Sequence, residues 1–305
     1  MHYLGIDIGG SFIKYAVVDD RYRIISAWQK PTLGFDAAQD FYDYLCQGVD
    51  GSAVQLVGIS APGVIDKSSR VLSKAASSLE IICGTNVNAE VAKRLHLPIK
   101  TLNDGKAAAC CELKMGNGRH TKSSAYWIIG TGIGGCLCLG DKIISGENGI
   151  AGEFSHIPLS VEKGKIRGIG SAASVSALLA AYNARVPAAK SVTDGKSVCQ
   201  RYLNGDPEAQ LAIDEWCQHN IMGLYTLTMT FNPEVICIGG AISEESWLIE
   251  KLREAYYQIG SRFNKLLTTR IVGCMHTKNA NVLGAILYAR EAVIVPSSPE
   301  REIDS

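Results

Sequence analysis

The chain has 305 residues, 47% of them hydrophobic, which is enough to bury a core in each of two domains. Its 30 basic side chains balance 30 acidic ones, so there is no electrostatic case for nucleic-acid binding. Charges or glycines interrupt every apolar run before it reaches bilayer-spanning length, and the ten cysteines, with no secretory-type segment ahead of them, predict reduced core thiols in a soluble, cytoplasmic protein.

The first predicted elements are a strand at Tyr3-Leu4-Gly5-Ile6, a glycine turn at Asp7-Ile8-Gly9-Gly10-Ser11 and a second strand from Phe12 to Val18. A strand after the glycines separates this turn from the dinucleotide fingerprint, which opens a helix, and the missing Gly-Lys-Ser/Thr separates it from the Walker loop. Glycine turns bring backbone N–H groups close to an anion, and the Ser11 hydroxyl adds a donor, although an ordinary hairpin turn has the same composition. Asp7 ends its strand where a carboxylate can hold a water of hydrated Mg²⁺, or can simply form an Asx-turn. Lys14 either neutralises phosphate or decorates a strand face.

A third strand is expected from Arg21 to Trp28 and a helix from Ala37 to Gln47. A short buried strand, Leu56 to Ser60, ends in the turn Ala61-Pro62-Gly63, followed by a helix from Asn88 to Leu95 capped by Asn88. The strand Ile99 to Leu102 ends at Asn103-Asp104, and the helix opening at Asp104 closes at Gly116-Asn117-Gly118. Alternating strands and helices predict parallel strands covered by helices. Asp104 is either a helix N-cap or a carboxylate that the helix N-terminus keeps ionised, ready to accept a proton.

Residues Ala125 to Ile144 repeat the opening pattern as strand, glycine turn Gly130-Thr131-Gly132-Ile133-Gly134-Gly135, and strand. Two matched copies imply two related domains around a shared cleft. Glu153 and His156 follow in a glycine-flexed segment, an acceptor and an amphoteric imidazole suited to the vicinal hydroxyls of a sugar, where a lone loop histidine would otherwise be structural. Helices are expected at Ser171 to Asn183 and Asp206 to Thr230, then a strand from Glu234 into Gly239-Gly240, and a last helix, Val282 to Val293, packed on the first domain. The domains run 1–118, joined by 282–293, and 119–281, while the polar, proline-broken residues 294–305 read as a flexible tail.

In chain order, Asp7 to Ser11, Ala61-Pro62-Gly63, Asn103-Asp104, Gly130 to Gly135, Gly152-Glu153-x-x-His156 and Gly239-Gly240 resemble the ROK-family sugar kinases, in a glucokinase-like, zinc-less form. That resemblance implies an α/β, two-domain actin-like (ribonuclease H-like) ATPase fold with a nucleotide and sugar cleft between the domains. It further implies that Asp104 takes the proton from a sugar hydroxyl, the 6-OH of glucose or a related hexose or N-acetylhexosamine, as it attacks the γ-phosphate of ATP. Gly63, Asn103, Asp104, Glu153 and His156 would bind the sugar. Asp7, Gly9, Gly10, Ser11, Lys14, Thr131, Gly132 and Gly134 would lie at the phosphates with Mg²⁺, and Gly239, Gly240 and Ala241 at the adenosine. A cytoplasmic homodimer without membrane or nucleic-acid partners completes the implied picture.

Two departures qualify it. The family's structural zinc is held by that histidine and three cysteines, yet Lys163 to Ser171 contains no cysteine, so no structural zinc is expected. The same stretch normally ends in a sugar-contacting glutamate, here replaced by Gly170 or Ser171, which opens the pocket to a substituted sugar and makes a β-glucoside kinase the alternative. A sugar-responsive transcriptional regulator of the same family is a further alternative. Such regulators carry a winged-helix domain ahead of the first turn, whereas this chain reaches Asp7 almost at once. A sugar-binding scaffold without catalysis is disfavoured by the presence of Asp104 and both turns.

Overall fold

The computed structural model describes residues 1–74, 77–259 and 262–294, and the tail expected beyond them lies outside the described residues. They divide into two compact units, one made of 1–111, 146–150 and the chain from 279 onward, the other of 112–145 and 151–278. Among the described residues no helix is long and apolar enough to cross a membrane.

In the first unit β1 (His2–Ile8), β2 (Phe12–Asp19) and β3 (Ile24–Pro31) form an antiparallel meander. The third strand starts later than expected because the Asp19 side chain accepts from the amides of Arg21 and Arg23, holding those residues in a turn. After α1 (Ala38–Cys46), β4 (Val57–Ala61) pairs parallel to β1, and after α2 (Val87–Leu95), β5 (Ile99–Asn103) pairs parallel to β4, giving the order β3-β2-β1-β4-β5. Nearly every residue of β1 and β4 is buried, which accounts for their unbroken apolar runs. The cap of α2 is Asn86, accepting from the Ala89 amide at 2.9 Å. Asn88 is engaged elsewhere, donating to Ser69 Oγ and accepting from Thr101 Oγ1.

α3 (Asp104–Met115) starts in the first unit and ends in the second. There β6 (Ser123–Ile129), β7 (Ile133–Leu139) and β8 (Lys142–Ile144) form a second antiparallel meander. β9 (Pro158–Glu162) and β10 (Lys165–Gly168) then make a separate two-stranded hairpin through Lys163 and Gly164, both with positive φ. The single helix expected from Ser171 is two, α4 (Gly170–Ala173) and α5 (Val175–Asn183), because Ser174 is extended and caps α5 by accepting from Ala177 N. α6 (Gly195–Leu203) and α7 (Pro207–Phe231) follow, then β11 (Val235–Gly239), α8 (Ser246–Gln258) and β12 (Arg270–Gly273), with β11 parallel to both β6 and β12. The sheet order β12-β11-β6-β7-β8 repeats that of the first sheet, so the duplicated hairpins are part of a duplicated sheet.

The second unit's core gathers Trp127, Tyr182, Trp216 and Tyr256 with Cys199 and Cys217. Burial pushes these two thiols up to about 12, and Cys46 in the first core up to about 11, as expected of inert core cysteines. Finally α9 (Ala280–Ile294) lies on β1 and β4 in the first unit. A side chain at Gly5 would strike Val282 and one at Gly58 would strike the Ala285 carbonyl, so both glycines are required for the helix to approach the sheet.

Candidate functional site

Each unit carries its own set of predicted residues. In the first, the β1–β2 turn is closed by Gly9 N–H donating to Phe12 O at 3.1 Å. Its carbonyls are committed inside the fold: Thr32 Oγ1 donates to Gly9 O at 2.6 Å, Ser78 Oγ to Gly10 O at 3.0 Å, and Thr32 N to Ser11 O at 2.9 Å. The amides of Gly10 and Ser11, both exposed, donate to nothing among the described residues. Two adjacent donors facing outward from a glycine turn are a small anion-binding concavity.

Asp7 is nearly buried at the end of β1. Ser60 Oγ and Asn281 Nδ2 both donate to its Oδ1, at 2.7 and 3.1 Å, while Oδ2 accepts no hydrogen bond among the described residues. One fixed and one open carboxylate oxygen fit a cation held through its water shell, the usual way Mg²⁺ engages protein. No group of three or more His, Cys, Asp or Glu side chains gathers as a metal cluster among the described residues. Lys14 is the register partner of Asp7 across β1–β2 and is exposed.

Asn103 and Asp104 sit where β5 runs into α3. The cap is Asn103: its Oδ1 accepts from Lys106 N at 3.1 Å, and its Nδ2 donates to Gly63 O at 2.9 Å and to Asp104 Oδ1 at 3.0 Å. Asp104 is therefore relieved of the capping role allowed for it and stands exposed in the first helical turn, its Oδ1 also accepting from Gly105 N at 2.7 Å. Gly63 has φ +86°, and a Cβ there would lie 2.7 Å from Ser73 O. Sequence reasoning missed Lys106, which is buried and donates from Nζ to Gly149 O at 2.6 Å, drawing residues 146–150 into this unit.

In the second unit the β6–β7 turn is closed by Gly130 N–H donating to Gly132 O at 2.9 Å, and Gly130 O accepts from Val175 N. Ile133 N donates to Ser155 Oγ, leaving the exposed Thr131 and Gly132 with amides that donate to nothing among the described residues. Gly134 is the second residue of β7. Gly239 ends β11; Gly240, with φ +92°, packs its α-carbon against the Ile129 carbonyl, and Ala241 opens the turn that follows. The two glycine turns of this unit are thus neighbours. Glu153 is half-buried and His156 exposed, one 3₁₀ turn apart, with Phe154 between them stacked on Trp127 at 5.6 Å. Residues 158–168 form the β9–β10 hairpin, which takes in most of the cysteine-free stretch Lys163 to Ser171; Gly170 lies against Ser155, and Ser171 Oγ donates to Gly168 O.

Residues 3–292 match the ROK family. The chain is 28% identical over 315 residues to a glucokinase of Streptomyces coelicolor, spanning 94% of this chain and 97% of that protein. It is 28% identical over 273 residues to the N-acetylgalactosamine kinase AgaK of a Shewanella species, spanning 83% and 86%. A ROK family glucokinase from Streptomyces griseus, solved with glucose and AMPPNP, aligns with a TM-score of 0.79 and 26% identity over 95% of this chain and 100% of that one. With its paired five-stranded sheets on the actin-like ATPase fold and a match running nearly end to end, this chain belongs to the ROK family.

Proposed function

We propose that this chain is a kinase that transfers the γ-phosphoryl group of ATP to a hydroxyl, the 6-OH, of glucose or a related hexose or N-acetylhexosamine. The observation that carries this reading is the matched pair of glycine turns, each closed internally and each leaving two adjacent amides for phosphate oxygens. The kinase relatives support it.

In this reading Asp104 accepts the proton of the attacking hydroxyl. Asn103 fixes its carboxylate through Nδ2, and the N-terminus of α3 favours the ionised form. Gly10, Ser11, Thr131 and Gly132 donate backbone hydrogen bonds to the phosphates, with Lys14 as a nearby positive charge. Asp7 would hold a hydrated Mg²⁺ through its open oxygen, and the ion would supply charge neutralisation at the phosphates. Glu153 and His156 orient ring hydroxyls, the carbonyl of Gly63 aligns Asn103, and Gly239 to Ala241 border the adenosine.

No carboxylate occupies Gly170 or Ser171, which favours a β-glucoside as the second reading of substrate. A cytoplasmic homodimer without structural zinc belongs to the same proposal. A coupled ADP-release assay across glucose, mannose, N-acetylated hexosamines and β-glucosides tests it: turnover on one of them is expected, and none on any would refute it. Elemental analysis of the purified protein is expected to find no stoichiometric zinc, and zinc whose removal abolishes sugar binding would overturn that part.

A further inference from the structure

Ser155 lies between Glu153 and His156, yet its hydroxyl is turned to the other half of the same unit's machinery. Ile133 N–H donates to Ser155 Oγ at 2.7 Å. A Cβ on Gly132 would come within 2.9 Å of that oxygen and one on Gly170 within 2.5 Å, while one on Gly168 would strike the Ser155 carbonyl. Three glycines from two segments therefore close around one serine. Its backbone is fixed by Phe154, which is buried, stacks on Trp127 and covers Gly135.

We infer that Ser155 is the positioning residue of the second phosphate turn: by holding the Ile133 amide, it fixes the turn so that the Thr131 and Gly132 amides face a nucleotide phosphate. Residues 130–133 carry four amides. Gly130 N is used by Gly132 O and Ile133 N by Ser155, so the outward pair is defined by those two bonds. With the Ser155 acceptor removed, the Ile133 amide has no partner among the described residues, and the turn can rotate to seek one. A rotated turn no longer offers two convergent donors, so the loss falls on phosphate binding, while the backbone bonds that shape residues 153–157, His156 N to Glu153 O and Ile157 N to Phe154 O, are kept. The inference rests on the proposed nucleotide role of this turn.

The test compares the parent chain with Ser155→Ala, which keeps Cβ and removes the acceptor. Titration with AMPPNP should show a dissociation constant raised about 3- to 10-fold, the size of one lost hydrogen bond. Sugar affinity and melting temperature should shift far less. Amide exchange read by mass spectrometry on the unliganded protein should speed up in the peptide containing Ile133. Neither measurement needs turnover. A parent that fails to bind AMPPNP refutes the nucleotide reading and this inference together. A parent that binds it, with Ser155→Ala binding equally well or exchanging no faster at Ile133, refutes the role of Ser155 and leaves the reading of the turn intact. Equal losses in nucleotide and sugar affinity with a lowered melting point would also overturn it, since they describe a general packing defect.

Discussion

The turn at Gly9 to Ser11 and the turn at Gly130 to Gly132 occupy equivalent places in two sheets of the same strand order, and each leaves two amides unspent. They are held from opposite sides. The first is gripped mainly by its carbonyls, through Thr32 and Ser78, whereas the second is gripped at an amide, through Ser155, and at the Gly130 carbonyl, through Val175. What the two copies share is backbone geometry, and the side chains that secure it need not correspond. In the second turn a side-chain hydroxyl engages an amide, whereas in the first the side-chain hydroxyls engage carbonyls.

The largest effect is expected from Asp104→Asn, which touches neither turn and removes the proton acceptor at nearly constant size. Turnover should fall by about 10²-fold or more while the apparent KM for ATP holds, as for loss of a general base. Steady-state kinetics that stay within a few-fold of the parent would reduce Asp104 to a helix-terminal residue.

Gly240→Ala should come next. Its φ of +92° and the Ile129 carbonyl beside it leave no room for a side chain, and Ile129 leads straight into the second turn. A cost of about 1–3 kcal/mol for such a strained position is expected, read as a lower melting temperature together with weakened AMPPNP binding. Gly9→Ala, whose new Cβ would sit 2.8 Å from Phe12 O without a positive φ, should cost less; equal costs would show that the turns are more alike in rigidity than their contacts suggest.

Thr32→Val isolates the carbonyl clamp of the first turn, removing the bond to Gly9 O and keeping Thr32 N on Ser11 O. One hydrogen bond of about 0.5–1.5 kcal/mol is lost, so the KM for ATP should rise a few-fold. A rise exceeding that of Ser155→Ala would show that the carbonyl side is the more important grip.

The smallest effect on function concerns the thiols. Burial disfavours the thiolates of Cys46, Cys199 and Cys217, with pKa values pushed up to about 11, 12 and 12, so raising the pH from neutral to mildly alkaline should not make them reactive. In native protein treated with iodoacetamide, peptide mapping should find label first at the half-buried Cys83 and Cys274. Early labelling of Cys199 or Cys217 would mean that the second core opens locally.

The two strand-turn-strand hairpins and the junction of β5 with α3 at Asn103-Asp104 were legible in the sequence because local backbone requirements leave a mark in residue type. Choices between near-equivalent neighbours were not. Asn86 and Asn88 are both good caps, and the outcome turned on Ser69 and Thr101 holding Asn88 elsewhere. Asn103 likewise took the cap from Asp104 because its amide also reaches Gly63 O. The signal for α6 was present in Asp194, which caps it, and in apolar residues at Val198, Cys199 and Tyr202, but short helices of this kind are easily read as loops. The β9–β10 hairpin is largely exposed, and its apolar alternation is confined to Leu159, Val161 and Ile166, too short to stand out. Ser155 and Lys106 were invisible because their partners, Ile133 and Gly149, lie 22 and 43 residues away.

The close approach of Gly5 and Gly58 to Val282 and Ala285 bears on how the protein is made. On the ribosome the strands of the first sheet emerge early, but the helix that covers them is among the last described residues to be synthesised. Residues 112–278, apart from the short return at 146–150, complete the second unit before that helix exists. Contacts of such sequence separation form late. A nascent chain halted before residue 279 is therefore expected to hold a protease-resistant second unit and a first sheet that is still cleavable.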